Sequence, residues 1–248
     1  MTNTSNITAT LPDLREMDPV FAQMATASLR FAGAVPELSD REKVLLRLTA
    51  DVCQQCLGLP FAMHVQGGLR VGVSTGDIRA LLRFISYDSG YHAALAAFER
   101  LTELEAALGL STEEVVLLPD ALVATGPGVA PSPMPESARA ILAELDPHFA
   151  EYFDLQSRMR STTGPGTLAI RERAFVTMSI DMHYQTLGDT FRIHTQRALN
   201  SGATLDDVRA VLRFNAQFGA TRAWQSWRAF HAHAADAGWI DPEVTTRG

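Results

Sequence analysis

The amino-acid sequence predicts an all-α protein in which two tandem helical units pack as a pseudo-dimer. Three observations support this prediction. A block of residues recurs 130 positions later in the chain. Each copy carries helix-start and helix-stop residues at matching places. No stretch shows the alternation of apolar and polar residues that is typical of a half-buried strand.

The repeat pairs residues 41–84 with residues 171–214, where 17 of 44 positions are identical without a gap. A period this long indicates a duplicated domain rather than a solenoid. We therefore expect a first unit over 11–110, a Pro/Gly-rich linker over 111–135 and a second unit over 136–240. The most informative identical pairs are Arg41-Glu42 with Arg171-Glu172, Asp51 with Asp181, His64 with His194, Gly72 with Gly202 and Asp77 with Asp207.

Within the first unit, residues 39–42 have capping-box spacing before an apolar run that is expected to stay helical to about Leu57. The next helix should carry His64 and end at Gly72, because a glycine commonly terminates a helix. Residues 74–77 repeat the cap spacing and predict a third helix, and a fourth is expected over 91–108. Thr204-Leu205-Asp206-Asp207 is the matching cap in the second unit.

Composition excludes several function classes. The net charge of −7 gives no basic surface for nucleic acid and no attraction to an anionic membrane. The polar N-terminus has no signal-peptide pattern, and no apolar run approaches the ~20 residues of a membrane span, so we expect a cytoplasmic protein. Only Cys53 and Cys56 are cysteines, and in the cytosol they would be free thiols, a redox pair or partial metal ligands.

The segment His64-Val-Gln-Gly-Gly-Leu-Arg-Val-Gly72 and the cap after it resemble the core of the carboxymuconolactone decarboxylase family, which overlaps with the alkylhydroperoxidase-D-like proteins. The shared pattern is an Arg-Glu pair opening a helix, then a His, then a Gly eight residues later. The resemblance implies an all-α fold that assembles through helix packing, so we expect a homo-oligomer. It also implies either cofactor-free decarboxylation of a small carboxylated lactone or thiol-based peroxide reduction.

His64 and His194 are the first candidates for catalysis. A single histidine in a helix interface is usually structural, but this one is retained in both copies while its neighbours change. Histidine has an unperturbed pKa of ~6.5 and can take and give a proton near neutrality, as cofactor-free decarboxylation requires.

The resemblance assigns an acidic relay to Glu42 and Glu172, although a glutamate in a first helical turn also serves as a cap. Helix geometry favours a different acidic partner for each histidine. If the two helices are antiparallel, His64 lies level with residues 51–54, because a helix rises ~1.5 Å per residue. Asp51 and Asp181 could therefore orient the histidines, or alternatively form salt bridges with an arginine.

Cys53 and Cys56 form a C-x-x-C pair in the first copy only. Peroxidatic relatives place three residues between this pair and the histidine, whereas seven separate Cys56 from His64 here. The pair is thus predicted at a helix C-terminus, whose partial negative charge disfavours the thiolate. The second copy has His183 at the position of Cys53 and Tyr184 beside it, which suggested a pocket holding His183 and His194 together.

Arg83 and Arg213 are candidates for binding a substrate carboxylate, because a guanidinium can form two parallel hydrogen bonds to it. Their alternative role is a structural salt bridge. No cofactor or metal is expected: the chain has no glycine-rich phosphate loop, no closed ligand set and no lysine other than Lys43.

These residues leave three functions open. The first is a cofactor-independent lyase, or a related tailoring enzyme, acting by histidine acid/base chemistry on a small carboxylated substrate, cyclic ones included. The second is a thiol peroxidase or disulfide reductase that uses Cys53 and Cys56. The third is a ligand-binding or assembly protein that keeps the fold without catalysis.

Overall fold

The computed structural model describes residues 11–110, 116–160 and 168–240, and within these ranges it is built of α-helices, one short 3₁₀ turn and loops. The all-α prediction is confirmed. The first unit contains α1 (Leu11–Met17), α2 (Pro19–Gly33), α3 (Asp40–Cys53), α4 (Leu59–Arg70), α5 (Thr75–Ser89) and α6 (Tyr91–Leu108).

The remaining helices are α7 (Asp120–Val123), α8 (Glu136–Leu145), α9 (Pro147–Arg160), α10 (Ile170–Tyr184), α11 (Asp189–Asn200), α12 (Leu205–Asn215) and α13 (Ala220–Asp236). A 3₁₀ turn, Ala216–Phe218, links the last two. Apart from α7, which lies in the expected linker, these helices repeat the order of α1–α6. The domain boundaries set from the sequence remain a prediction.

The predicted helix caps are present. The hydroxyl of Ser39 accepts a hydrogen bond from the backbone N–H of Glu42, whose carboxylate accepts one from the N–H of Ser39. The same reciprocal pair opens α5 and α12. At α10 the capping residue is Ala169, which has no side-chain acceptor, so only its N–H is paired, donating to Glu172 at 2.8 Å.

Helix α3 ends at Cys53, and the expected continuation to about Leu57 is wrong. Gln55 adopts a φ of +55°, and the N–H of Cys56 donates back to the carbonyl of Asp51 at 2.8 Å. This turn closes the helix four residues early. The second unit turns in the same way, with Gln185 at a φ of +58°.

The two units meet where α3 packs against α10. The contact is reciprocal: Arg41 donates to Glu172 at 2.7 Å, and Arg171 donates to Glu42 at 2.8 Å. Helix α9 of the second unit packs on α5 of the first, while α2 of the first packs on α12 of the second. These matched contacts are those of a pseudo-twofold relationship.

Each hydrophobic core takes side chains from both units. Leu168, Val176 and Ile180 of the second unit lie in the core built on α3–α6. Val35, Leu38 and Leu46 of the first unit lie in the core built on α10–α13. Burial of apolar surface therefore stabilises the units jointly, because each would expose part of the other's core if it were separated.

Small residues in the fourth helix of each unit serve packing inside the unit. A Cβ added to Gly68 would come within 2.9 Å of the Val44 side chain, so α4 can approach α3 this closely only with glycine there. Its counterpart Ala198 is fully buried. Gly68 and Ala198 therefore face the interior of their own units.

The linker is fastened to α9 rather than detached from the fold. The Asp154 carboxylate accepts hydrogen bonds from the N–H of Ser132 and from Arg139, and it also binds Arg158. Arg158 in turn donates to the carbonyl of Ala124 at 2.7 Å. In the part of the chain that the structure describes, no helix combines the length and apolar character needed to cross a membrane.

Candidate functional site: paired histidine–aspartate dyads and an adjoining cavity

Each unit holds a histidine against a buried aspartate. Nδ1 of His64 lies 2.6 Å from Oδ2 of Asp51, and Nδ1 of His194 lies 2.6 Å from Oδ2 of Asp181. The aspartate comes from the last turns of the first long helix, and the histidine comes from the middle of the next. An ionised carboxylate only accepts hydrogen bonds, so Nδ1 carries the proton and Nε2 is left as the acceptor.

The two dyads differ in how the aspartate is held. Burial raises the pKa of Asp51, and the hydrogen bond from His64 partly offsets this effect. Asp181 accepts a second hydrogen bond, from the hydroxyl of Thr186 at 2.6 Å. Cys56 occupies the position of Thr186 in the first unit, where its thiol points to the carbonyl of Gln54 instead. The second dyad is therefore more firmly fixed.

Glu42 and Glu172 do not reach the histidines among the described contacts. Each caps its own helix and binds the arginine of the other unit, Arg171 or Arg41. Both carboxylates are thus used in the inter-unit contact. In the described contacts their oxygens bind cap groups and arginines rather than a histidine, and the acidic relay stays a prediction.

Both cysteines are free thiols, and the surroundings of Cys53 disfavour its thiolate. Cys53 Sγ lies 3.7 Å from the Ser89 hydroxyl, and burial raises the pKa of the Cys53 thiol to about 11. Cys56 is exposed and lies beyond the end of α3. A reactive cysteine needs an electropositive site that lowers its pKa, and Cys53 has the opposite shift.

His183 lies apart from the second dyad. Its Nδ1 is 3.3 Å from the Gln54 amide, its ring packs edge-on against Phe218 at 5.7 Å, and Arg222 lies nearby. Burial, with the charge of Arg222, lowers the pKa of His183 to about 4. The structure shows no contact between His183 and His194 among the described residues, so a catalytic pair of histidines is not supported.

Tyr184 points to the first unit's residues. It interacts with Cys53 and Ser89, and burial raises the pKa of its hydroxyl to about 12. Arg213 forms a salt bridge with Glu37 at 2.5 Å. This contact is the structural role that the sequence offered as the alternative to binding a substrate carboxylate. Arg83, the counterpart of Arg213 in the first unit, lines a cavity.

This cavity has a volume of about 480 Å³ and lies between α5, α6 and α9. Its volume falls within the ~300–1,000 Å³ that is typical of small-molecule sites. The wall combines two guanidinium groups with aromatic and aliphatic side chains; its members include Arg83, Tyr87, Tyr91, Phe98, Met159 and Arg160.

Sequence reasoning missed the residues that connect this cavity to a dyad. Asp88 at the end of α5 forms an ion pair with Arg160 at the end of α9. The charges of His194 and Asp181 also act on the Asp88 carboxylate. The ungapped block of the repeat ends at Phe84, so neither Asp88 nor Arg160 lies within it and neither gave a signal.

The first dyad has different surroundings. Gly90 precedes α6 as Gly219 precedes α13, so the second unit is one residue shorter here and has no carboxylate to match Asp88. The position of Cys53 is occupied by His183. Within the described ranges, no group of three or more His, Cys, Asp or Glu side chains is arranged to hold a metal ion.

Comparison with known proteins agrees with this architecture. Residues 19–103 match the sequence model of the carboxymuconolactone decarboxylase family, so the resemblance is confirmed over the first unit. A solved structure from Burkholderia xenovorans, provisionally described as a gamma-carboxymuconolactone decarboxylase subunit, aligns with 94% of this chain and 93% of its own. Its TM-score is 0.51 and its sequence identity 23%, which supports a shared fold. No curated protein matches the sequence.

Proposed function

We propose that this chain is a cofactor-independent lyase, or a related tailoring enzyme, that uses a histidine–aspartate dyad to move a proton on a small carboxylated substrate. The observation that carries the proposal is the 2.6 Å contact between His194 and Asp181, repeated between His64 and Asp51. The similarity of the first unit to carboxymuconolactone decarboxylases supports a decarboxylation. We further propose that the enzyme is a cytoplasmic homo-oligomer.

The dyad suits the proton step of such a reaction. When the bond between the substrate carbon and its carboxylate breaks, CO₂ leaves and the electron pair remains on that carbon, delocalised into an adjoining carbonyl. The neutral ring first accepts a proton from solvent at Nε2, the resulting imidazolium donates this proton to the carbon that CO₂ has left, and Nε2 becomes an acceptor again. The aspartate stabilises the charged ring and holds its Nε2 in a fixed direction.

Thiol chemistry is the second candidate, and the surroundings of Cys53 weigh against it. With a thiol pKa of about 11, only a small fraction of Cys53 is thiolate near neutral pH. The non-catalytic alternative predicts a fold without an open pocket, whereas a cavity of about 480 Å³ lies between α5, α6 and α9.

Mutation distinguishes the lyase from the thiol enzyme. The substrates to test are five- and six-membered lactones carrying a carboxylate, with CO₂ release as the readout. The double variant Cys53→Ser, Cys56→Ser should keep most of the activity, and the double variant His64→Gln, His194→Gln should lose ~10²–10⁴-fold, the usual contribution of general acid–base groups. If the serine variant lost its activity and the histidine variant kept it, the result would contradict the lyase proposal and favour a thiol peroxidase.

A further inference from the structure

The cavity between α5, α6 and α9 has a buried floor and an exposed rim. On the floor, Ala94 is 2% exposed and Gln156 is 8% exposed. At the rim, Tyr91 and Leu95 are 51% and 57% exposed. Side chains at such different depths enclose a small molecule on several sides, as is usual for ligand sites.

The walls of the cavity are mostly apolar. Leu95, Phe98, Met159 and the ring of Tyr87 line the space, and Leu118 of the linker joins them. Contact with these side chains would remove the hydrocarbon surface of a ligand from water, which favours binding. The lining therefore favours a ligand whose body is largely apolar.

The positive charge of Arg160 on this wall is already compensated. Its guanidinium forms an ion pair with Asp88 and lies over the rings of Phe84 and Tyr87, at 4.3 and 4.4 Å from their centroids. Arg83, the other guanidinium of the lining, also has an interaction of its own. Since an apolar lining makes it costly to strip water from a charged group, the cavity favours a neutral ligand.

Gln156 offers a hydrogen-bond donor on the floor. Its Oε1 accepts a hydrogen bond from the Tyr91 hydroxyl at 3.0 Å, and its amide nitrogen has no hydrogen-bond partner among the described residues. That nitrogen carries two N–H donors. The Ser86 hydroxyl, by contrast, already donates to the carbonyl of Arg83 at 2.7 Å. The floor therefore matches a ligand that carries a hydrogen-bond acceptor, such as a carbonyl oxygen.

The repeat shows that the equivalent place in the other copy is built from different residues. The N-cap aspartates of α2 and α9 align at an offset of 128, and the glycines before α6 and α13 align at an offset of 129. At these offsets the counterparts are Ser28 for Gln156, Ala32 for Arg160, Ala220 for Tyr91 and Trp224 for Leu95. The amide donor and the tyrosine that orients it therefore belong to one of the two copies.

We propose that this cavity is a ligand site separate from both dyads, and that it binds a neutral, largely apolar molecule whose carbonyl oxygen accepts a hydrogen bond from the Gln156 amide. In the described chain, neither dyad contributes a side chain to its lining. The walls come from α5 and α6 of the first unit, α9 of the second and Leu118 between them. A bound molecule therefore contacts both units and stabilises the folded chain. The inference does not depend on the proposed function.

The test uses benzophenone, a neutral diaryl ketone, as the probe on the full chain. Calorimetric titration should give a saturable Kd, and the side-chain amide signals of Gln156 in proton–nitrogen NMR spectra should shift along the same titration. Under ultraviolet light the ketone oxygen abstracts a hydrogen atom from a nearby C–H group, and the two carbon radicals then combine. Mass spectrometry should therefore find adducts on α6 and α9. Para-benzoylbenzoate, which adds a carboxylate, should bind no more tightly than benzophenone.

Two variants locate the ligand. Gln156→Glu keeps an acceptor for the Tyr91 hydroxyl but removes the donor, so it should weaken benzophenone binding about tenfold. Ser28→Glu, which makes the matching change at the counterpart on α2, should leave the Kd unchanged. Leu95→Trp places a larger ring at the exposed rim and should also weaken binding. Circular dichroism checks that all three variants fold.

Four outcomes overturn the inference: no saturable binding of benzophenone, adducts confined to helices other than α5, α6 and α9, an unchanged Kd in Gln156→Glu, or tighter binding of para-benzoylbenzoate. Binding that appears only when Phe21→Glu and Phe149→Glu dissociate an assembly would show that a second copy covers the cavity, and it would overturn the inference as well. None of these outcomes decides the proposed function, which depends on the turnover of the histidine and serine variants.

Discussion

Arg41 of the first unit donates from Nε to the Glu172 carboxylate of the second at 2.7 Å, and the same guanidinium also binds Asp77. The mirror-related Arg171 binds Glu42 and Asp207 in the same way. Each arginine lies at the start of α3 or α10. It binds the aspartate that caps α5 or α12 in its own unit, and the glutamate of the opposite unit. This pair of contacts fixes the crossing of α3 and α10 from which both dyads project.

Glu172→Gln should destabilise the protein by about 1–3 kcal/mol, because the partly buried Arg41 loses one of its two charged partners and keeps only Asp77. Urea unfolding measures the change. Glu103→Gln is the control, since its pair with Arg100 is exposed on the glutamate side, and such surface pairs contribute about 0–1 kcal/mol. Equal changes in the free energy of unfolding would show that the inter-unit ion pair stabilises the protein no more than a surface pair does.

His183 should make stability depend on pH between about 6.5 and 4. Its pKa is lowered from 6.5 to about 4 in the folded protein, so the unfolded chain binds a proton in this window that the folded protein does not. Stability is therefore present above pH 6.5 and falls as the pH drops towards 4, by on the order of 2 kcal/mol at pH 4.5.

The variant His183→Gln should flatten this part of the profile, measured by urea unfolding at intervals from pH 7.5 to 4.5. His148→Gln is the matched control, because the His148 side chain is 92% exposed. A slope that survives in the His183 variant would contradict the assignment of the effect to this ring.

The thiols should differ in reactivity. With a pKa of about 11, roughly a thousandth of Cys53 is thiolate at pH 8. The variant Cys56→Ser, which keeps only Cys53, should therefore react with Ellman's reagent at least ~10-fold more slowly than Cys53→Ser, which keeps the exposed Cys56. Rapid modification of Cys53, or rapid peroxide consumption by it, would favour thiol catalysis.

Local sequence signals predicted the helices well. Cap residues at Ser74 and Thr204 act over three residues, so their spacing alone determines the hydrogen bonds. The end of α3 was misplaced because the apolar pattern continues after Cys53, while the turn is closed by Gln55 in a left-handed conformation, for which glutamine gives little signal.

The dyads could be predicted because the repeat preserved Asp51 with Asp181 and helix rise placed each aspartate opposite its histidine. Asp88 and Arg160 could not, because they meet across 72 positions through packing of α9 on α5. Family resemblance assigns an acidic relay to Glu42 and Glu172, whereas their carboxylates form ion pairs with Arg171 and Arg41.

The homo-oligomer remains a prediction, and its interface should include the outer face of α2 and its counterpart on α9. Phe21, Met24 and Phe31 are 57–70% exposed on α2, and Phe149 and Tyr152 are exposed on α9. Large apolar side chains grouped in this way favour contact with another protein surface.

Phe21→Glu combined with Phe149→Glu should shift the mass measured by light scattering towards the 27.0 kDa of one chain. Trp224→Glu, which places the same charge on an equally exposed ring of α13, should leave the assembly intact. A wild-type chain that is already monomeric across micromolar concentrations would refute the prediction.

The most direct test of the account compares kcat/KM for Asp181→Asn and Asp51→Asn on a substrate that the wild-type chain decarboxylates. Asparagine keeps the size of the side chain but removes the charge that stabilises the imidazolium and fixes its tautomer. We predict that Asp181→Asn loses about 10²–10⁴-fold, while Asp51→Asn, whose dyad lacks the second hydrogen bond that Thr186 gives to Asp181, loses less. Full activity in Asp181→Asn would contradict proton transfer by the His194 dyad, and a larger loss in Asp51→Asn would contradict the main role of that dyad.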